Sequence, residues 1–278
     1  MNNNNNFKTT GLKRITIDKY YTKTNIVKEC MDFVRKYITI DTDDLCIEPS
    51  AGNGSFITQI KSLFNNYKFY DLEPENSEII RLNYLELDSE NLKKYQRIHV
   101  IGNPPFGRQS SLAIQFIKKS VEFCDTISFI LPKSFKKSSM KKHFPLLFHL
   151  EYEYELPKFS FTVENKNYDV PCVFQIWIKK DVYRCVPNKL VENKYRFVKK
   201  DESYDISFRR VGVYAGKIDR NGEDKSPQSH YFIKFEIPFT DDLFEKLSNI
   251  DYNTKNDTVG PKSISKQELI KEFNSIIN

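Results

Sequence analysis

The chain has 278 residues, 39% hydrophobic and 29% charged, which fits one large domain or a catalytic domain with a small appendage and gives enough apolar residues for a full core. Its net charge of +6 allows a polyanionic partner without requiring one. No apolar stretch approaches the roughly 20 residues of a membrane span, and the first residues lack the apolar core of a signal peptide, so the expectation is a soluble intracellular protein (cytoplasm, nucleoid or nucleus, of cellular, viral or phage origin) with no membrane partner.

Residues 1–14 open with Met1 and the run Asn2 to Asn6 and read as a disordered low-complexity tail. Ile26, Val27, Cys30, Met31, Val34, Tyr37 and Ile38 recur at helical spacing, with Thr24 or Asn25 as the cap. Leu45-Cys46-Ile47 is a short buried strand that ends at Glu48-Pro49. A glycine turn, Ser50 to Ser55, leads into a helix with Phe56, Ile57, Ile60, Leu63 and Phe64 on one face. Strands follow at 67–70, ending at Asp71, and at 97–101, ending at Gly102-Asn103-Pro104-Pro105. Leu112, Ala113, Phe116, Ile117 and Val121 mark another helix, and Thr126 to Leu131 another strand. This repetition predicts right-handed βαβ crossovers and a parallel sheet covered on both faces. Beyond 147 the pattern is strand-rich, with 147–156 and 170–179 paired around a polar loop, a loop at 217–229, and a final amphipathic helix.

Ligands of open α/β sheets sit outside the carboxyl ends of the strands, and three such ends here carry polar chemistry. Gly52 and Gly54 let backbone approach a ligand where a Cβ would obstruct it. Asp71 has two carboxylate acceptors suited to a ribose diol, although an acid there also suits a helix N-terminus. Asn103-Pro104-Pro105-Phe106 is the more specific pattern: an amide oxygen and a carbonyl freed from any helix ladder can converge on one amine, beside an aromatic stacking surface.

These motifs resemble those of S-adenosylmethionine-dependent amino-methyltransferases of the N6-adenine type. Glu48 to Phe56 is similar to their cofactor motif and Asn103 to Phe106 to their catalytic motif, in the gamma order. Asp18-Lys19-Tyr20-Tyr21-Thr22, Phe129-Ile130-Leu131-Pro132 and Tyr168 to Trp177 resemble further family segments, so the likeness covers roughly residues 15–180. It implies a Rossmann-like α/β fold of the class I methyltransferases, with a mostly parallel seven-stranded sheet, helices on both faces and a small C-terminal extension. The expected division is 1–14 tail, 15–180 methyltransferase domain and 181–278 extension, a candidate substrate-recognition element.

The resemblance also implies roles. Gly52 and Gly54, with Pro49, Ser50, Ala51 and Phe56, form the S-adenosylmethionine turn, with Glu48 near the methionine amine and Tyr21 and Thr22 by its carboxylate. Asp71 holds the ribose, and Asn83 stands where the family has an acid on the cofactor's adenine. Asn103 and the Pro104 carbonyl, in the rigid turn that Pro105 completes, accept from the substrate amine, and Phe106 stacks on the base. Phe159 or Phe161 covers its other face, and Lys133, Lys136 and Lys137, with Lys141 and Lys142, form a run that is either a solvated helix face or a phosphate contact. Attack on the methyl is in line, with no metal, covalent cysteine or general base.

The substrate reading favours DNA, with RNA as the alternative, since the catalytic motif occurs in both classes. A protein glutamine methyltransferase and an inactive nucleic-acid-binding subunit are further alternatives. The five cysteines form no C-x-x-C pair and read as reduced core residues. His99, His143, His149 and His230 form no metal spacing. Arg209-Arg210-Val211-Gly212 and Ser229-His230-Tyr231 look motif-like without an assigned role.

Overall fold

The structure, a computed structural model, describes residues 19–164 and 166–277, so the Asn-rich tail and Asp18 lie outside the described residues. In chain order the elements begin with β1 (Tyr21–Thr22), α1 (Thr24–Tyr37), β2 (Leu45–Glu48), α2 (Ile57–Leu63), β3 (Asn66–Asp71), β4 (Ile80–Arg81), β5 (Ile98–Gly102) and α3 (Ser111–Ser120). Then come β6 (Thr126–Pro132), α4 (Ser138–Lys141), β7 (Phe148–Glu155), β8 (Phe161–Val163), β9 (Lys166–Tyr168) and β10 (Cys172–Lys179). The chain finishes with β11 (Tyr195–Val198), β12 (Ile206–Arg209), β13 (Ile218–Asp219), β14 (His230–Phe235), α5 (Asp241–Ser248) and α6 (Lys266–Ile277). Seven strands form a mostly parallel sheet in the order β4-β3-β2-β5-β6-β10-β7, with β10 reversed against β6 and β7, which is the α/β class expected. No described helix is long and apolar enough to cross a membrane.

The chain divides into two compact units, one of residues up to 124 with 159–169, the other of 125–158 with 170–278. In the first, α1 buries Ile26, Val27, Cys30, Met31 and Val34, the stripe that the helical period demands. Its cap position falls on Lys23, which makes no side-chain cap, and not on Thr24 or Asn25. The reason is local: Lys23 N–H donates to the Ser160 carbonyl at 3.0 Å, so the chain passes straight from β1 into the helix.

All four residues of β2 are buried, which explains why this strand reads as an unbroken apolar run. It pairs in parallel with β3 (Leu45 opposite Asn66) and with β5 (Leu45 opposite Ile98), so the carboxyl ends of all three strands share one rim. The chain moves from β2 outward through β3 and β4, then returns to β5 on the other side of β2. That reversal is the switch point at which open α/β sheets leave a crevice. The polar segment expected as a loop between β7 and β10 contains instead the hairpin β8–β9, and β1 pairs with β8, Tyr21 opposite Thr162 and Thr22 opposite Phe161.

In the second unit β10 pairs antiparallel with β7, as expected of 147–156 and 170–179, and also with β6, with an irregularity between Ile176 and Trp177 in the β7 pairing. The remainder forms a four-stranded antiparallel sheet, β11-β14-β12-β13. Phe208, Ile206, Leu269 and Phe273 are fully buried in its core with Tyr195 and Leu247. Removing one such ring, as in Phe273→Ala, would cost about 3–5 kcal/mol.

Candidate functional site

Within the first unit the rim of β2, β3 and β5 borders a cavity of about 260 Å³. Tyr21 and Thr22 line it from β1, Glu48 to Asn53 from the end of β2, Asp71 from the end of β3, and Asn103 and Pro105 from the turn after β5. Sequence reasoning thus brought most of its candidates to one place. Ser55, Phe56 and Asn83 line it as well.

The glycine turn is built as its composition requires. Gly52 has φ +53° and Gly54 φ +86°, left-handed values that cost any other residue. A Cβ on Gly52 would stand 3.3 Å from the Tyr21 ring, and one on Gly54 only 2.7 Å from Ile57 Cδ1. Gly54 therefore shapes the turn without lining the cavity. Asp71 anchors the same turn: its Oδ2 accepts from Gly52 N–H and its Oδ1 from Glu73 N–H, each at 2.8 Å. Each oxygen keeps a lone pair for a further donor.

Glu48 is 2% exposed and its Oε2 has no hydrogen-bond partner. Burial pushes its carboxyl well above the usual carboxylate range, and the charge of Asp71 pushes the same way. Thr22 is also buried, with its Oγ1 unpartnered. Tyr21 donates its hydroxyl to Glu75 Oε1 at 2.5 Å. Burial, reinforced by Glu75, pushes the Tyr21 phenol up to about 12. Lys19 bridges Glu73 at 3.0 Å and Glu75 at 3.1 Å.

Asn103 is the most telling group. Its Nδ2 donates to the Tyr20 carbonyl at 3.0 Å, and its own carbonyl accepts from Ser50 Oγ at 3.0 Å. The side-chain oxygen, Oδ1, is buried with no partner. An amide held by its nitrogen presents its oxygen as an oriented acceptor, and an orphan acceptor of this kind costs about 1–3 kcal/mol unless a ligand supplies a donor.

The rest of that turn divides. Pro104 is buried and Phe106 half-buried, and neither lines the cavity. The Phe106 carbonyl accepts from Leu112 N–H at 3.1 Å at the start of α3. Gly107, Gln109 and Ser110 all have positive φ, and the two that are not glycine hold strained backbone beside the turn.

Other candidates sit elsewhere or are already engaged. Asn83 Oδ1 accepts from Leu85 N–H at 3.2 Å and its Nδ2 donates to Glu86 at 2.7 Å, capping a short 3-10 turn. Phe161 is fully buried, its ring edge-on to Tyr20 at 6.3 Å. Phe159 is half exposed with φ +61°. Lys133, Lys136 and Lys137 belong to the second unit, where Lys133 and Lys136 pair with Glu155, and Lys137 lies 3.5 Å from Glu268.

Sequence reasoning missed Leu72, Glu75 and Tyr84, which also line the cavity. Leu72 is 63% exposed, and its position directly after the strand-ending acid was the available signal. Glu75 reaches the site through a turn, where its N–H donates to the Gly52 carbonyl at 3.0 Å, and no pattern announces it.

Residues 57–185 match the family model of the EDM2 methyltransferase-like domain, a span that begins after the glycine turn and contains Asn103 to Phe106. Over 141 residues the chain is 25% identical to Protein ENHANCED DOWNY MILDEW 2 of Arabidopsis thaliana, a match covering 48% of this chain and 11% of that protein. The chain thus spans about a tenth of the length of the curated relative it matches. Among solved structures it is similar to the PH1948 protein of Pyrococcus horikoshii, at 16% identity and a TM-score of 0.47, covering 62% of this chain and 93% of that one. It is also similar to the 23S rRNA methyltransferase ErmE, at 10% identity and a TM-score of 0.44, covering 59% and 71% of the two chains. A further similarity is to the methyltransferase subunit of a type I restriction-modification system from Streptococcus thermophilus, at 14% identity and a TM-score of 0.44, covering 59% and 45%.

Proposed function

We propose that this chain transfers a methyl group from S-adenosylmethionine to the N6 amine of adenine in a nucleic acid, DNA before RNA. The observation that carries this reading is the Asn103 amide, in a residue that lines the cavity, tied by its nitrogen to the Tyr20 carbonyl with Oδ1 buried and unpartnered. Such an acceptor suits an amine hydrogen. The family match, by its description a methyltransferase-like domain, supports the same reading.

The cavity residues fit the methyl donor. Glu48 Oε2 and Thr22 Oγ1 are buried polar atoms without partners, of the chemistry that an ammonium and a carboxylate would satisfy. Gly52 keeps the turn open to close approach, Asp71 has lone pairs left for ribose hydroxyls, and Pro49, Ser50, Ala51, Phe56 and Asn83 form wall. S-adenosylmethionine supplies an electrophilic methyl on a sulfonium.

The remaining work falls to the chain. The lone pair of the adenine amine is delocalised into the ring, and two acceptors on its hydrogens, Asn103 Oδ1 and the Pro104 carbonyl, favour a pyramidal nitrogen. The turn completed by Pro105 fixes that geometry, so positioning and preorganised dipoles lower the barrier. Phe106 stacks on one face of the base. Of the two rings proposed for the other face, Phe159 is the accessible one, because Phe161 packs on Tyr20. Phosphate contact by Lys133, Lys136 or Lys137 requires exchange of their present carboxylates. A base inside a duplex is out of reach, so it flips out or comes from a single strand.

The test is transfer of a tritiated methyl from S-adenosylmethionine to matched DNA and RNA oligonucleotides, followed by nucleoside analysis. Label in N6-methyladenine from DNA is the expected result, and label in RNA alone reassigns the substrate class. Label on cytosine or on a protein glutamine overturns the reading.

A further inference from the structure

The second unit contains a cavity of about 600 Å³ lined by Phe197, Lys199, Lys200, Tyr231 and Lys266, with Asp201 as its carboxylate. It incorporates His230 and Tyr231, which the sequence marked without a role. Burial holds the imidazole of His230 below its ordinary pKa, so it is neutral near pH 7 and the charge here comes from the lysines.

Two features separate these lysines from those after β6. Lys133, Lys136, Lys137 and Lys141 are each held by a carboxylate. Among the described residues Lys199, Lys200 and Lys266 have no carboxylate in ion-pair range; Lys200 donates to the Glu223 carbonyl, and Lys266 stands 4.2 Å over the Phe197 ring and 5.8 Å from that of Tyr231. Arg210 lies 5.5 Å over Tyr231 and donates to the Gln228 carbonyl. Lys266 is, moreover, the first residue of the twelve-residue helix α6, where a cation opposes the helix dipole. Glu268 in the first turn of α6 accepts from Ser265 N–H at 2.7 Å and caps that end, so the positive charge at the cavity is that of the ammonium groups. The rings of Phe197 and Tyr231 meet at 5.4 Å and 76°, giving walls of two orientations.

We infer that this cavity binds unpaired nucleic-acid strand, its lysines on phosphates and a base on the Phe197 ring, whose face Lys266 now covers and leaves as its ammonium moves to a phosphate. Ring walls select for an unpaired strand, because the faces of bases in a duplex are already stacked on one another. The inference extends the reading above by naming the form of its nucleic-acid partner, and its test is independent of methyl transfer.

The test uses the full chain and a fluorescent thymidine oligonucleotide, which has no adenine and so cannot be methylated at N6. Lys199→Glu/Lys266→Glu changes two exposed side chains. It should weaken binding about 25-fold at 0.1 M salt and flatten the log–log salt slope by about 1.4 units, on a scale of roughly 0.7 per phosphate for single strands. An abasic oligomer of equal charge should bind the parent at least about fivefold more weakly than the thymidine oligomer, the low end of one base's stacking. Parental affinity and slope in the double variant overturn the inference, as does equal affinity for the abasic oligomer or for polyglutamate. Calorimetry with S-adenosylmethionine on both proteins keeps the readings apart: absent cofactor binding with charge-sensitive oligonucleotide binding sinks the methyltransferase proposal and leaves this one standing.

Discussion

Asn103→Ala separates a chemical role from a structural one because its two consequences for stability oppose each other. The variant loses the hydrogen bond from Nδ2 to the Tyr20 carbonyl at 3.0 Å, worth about 0.5–1.5 kcal/mol net. It also removes Oδ1, a buried acceptor without a partner, and so relieves about 1–3 kcal/mol. The net runs from about 0.5 kcal/mol of destabilisation to about 2.5 kcal/mol of stabilisation, so the melting temperature should hold or rise. Methyl transfer should nevertheless fall about 100-fold or more, equivalent to about 2.7 kcal/mol of transition-state stabilisation. Asn103→Asp offers a second comparison. It keeps an acceptor but sets an oxygen against the Tyr20 carbonyl, so it should lose more stability than alanine and retain more activity. The assay is initial-rate tritium incorporation at saturating cofactor, beside thermal melts and calorimetry with S-adenosylmethionine. A parental rate in a folded, cofactor-binding Asn103→Ala protein would refute the reasoning. A rate loss fully matched by lost cofactor affinity would make Asn103 a part of the cavity wall instead.

The Glu48 carboxyl titrates above its ordinary value of 4.5, so its contribution to stability is complete below that pH and is lost as pH rises through the higher folded value. Glu48→Gln should therefore raise the melting temperature of the free protein near pH 7 and abolish that part of its pH dependence, while weakening S-adenosylmethionine; a lower melting temperature near pH 7 would contradict it. Asp71→Ala strips the acceptor from the Gly52 and Glu73 N–H groups and should weaken the cofactor by about 1.5–3 kcal/mol by calorimetry, and unchanged affinity would confine Asp71 to the turn. Gly54→Ala puts a side chain at φ +86° and should cost about 1–2 kcal/mol in denaturant melts; a neutral result would mean that the turn relaxes freely.

The parallel core was legible because it obeys a simple rule: Leu45 to Ile47, Ile98 to Ile101 and Thr126 to Leu131 are buried on both faces and so read as apolar runs bounded by turn residues. The site was legible for a related reason, since a left-handed turn demands glycine at 52 and 54, and a turn that stops a strand leaves proline at 104 and 105. What escaped was whatever rests on main-chain atoms or on very short pairing. The hairpin of β8 and β9 has three residues per strand, too few for an alternating pattern, and β1 has two. Neither the cap shift to Lys23 nor the arrival of Glu75 at the cavity follows from side-chain identity. The pairing of the lysines after β6 with Glu155, Glu153 and Glu268 was equally hidden, because its partners lie 12 to 131 residues away in sequence.

Main-chain and side-chain links together form a continuous circuit around the cavity. Lys23 N–H joins the Ser160 carbonyl, and β1 pairs with β8; Tyr21 reaches Glu75, Glu75 N–H reaches the Gly52 carbonyl, and Gly52 N–H reaches Asp71. Asn103 closes the circuit through the Tyr20 carbonyl on one side and Ser50 on the other. The segment at 20–22 therefore does two things at once. It walls the cavity with Tyr21 and Thr22, and it aims the Asn103 amide. Because the aiming group is a backbone carbonyl, no side-chain substitution at Tyr20 removes it; only displacement of the segment does. Displacement would open the cavity wall and free the amide to rotate in the same event, so this one segment sets both the wall and the orientation of Asn103.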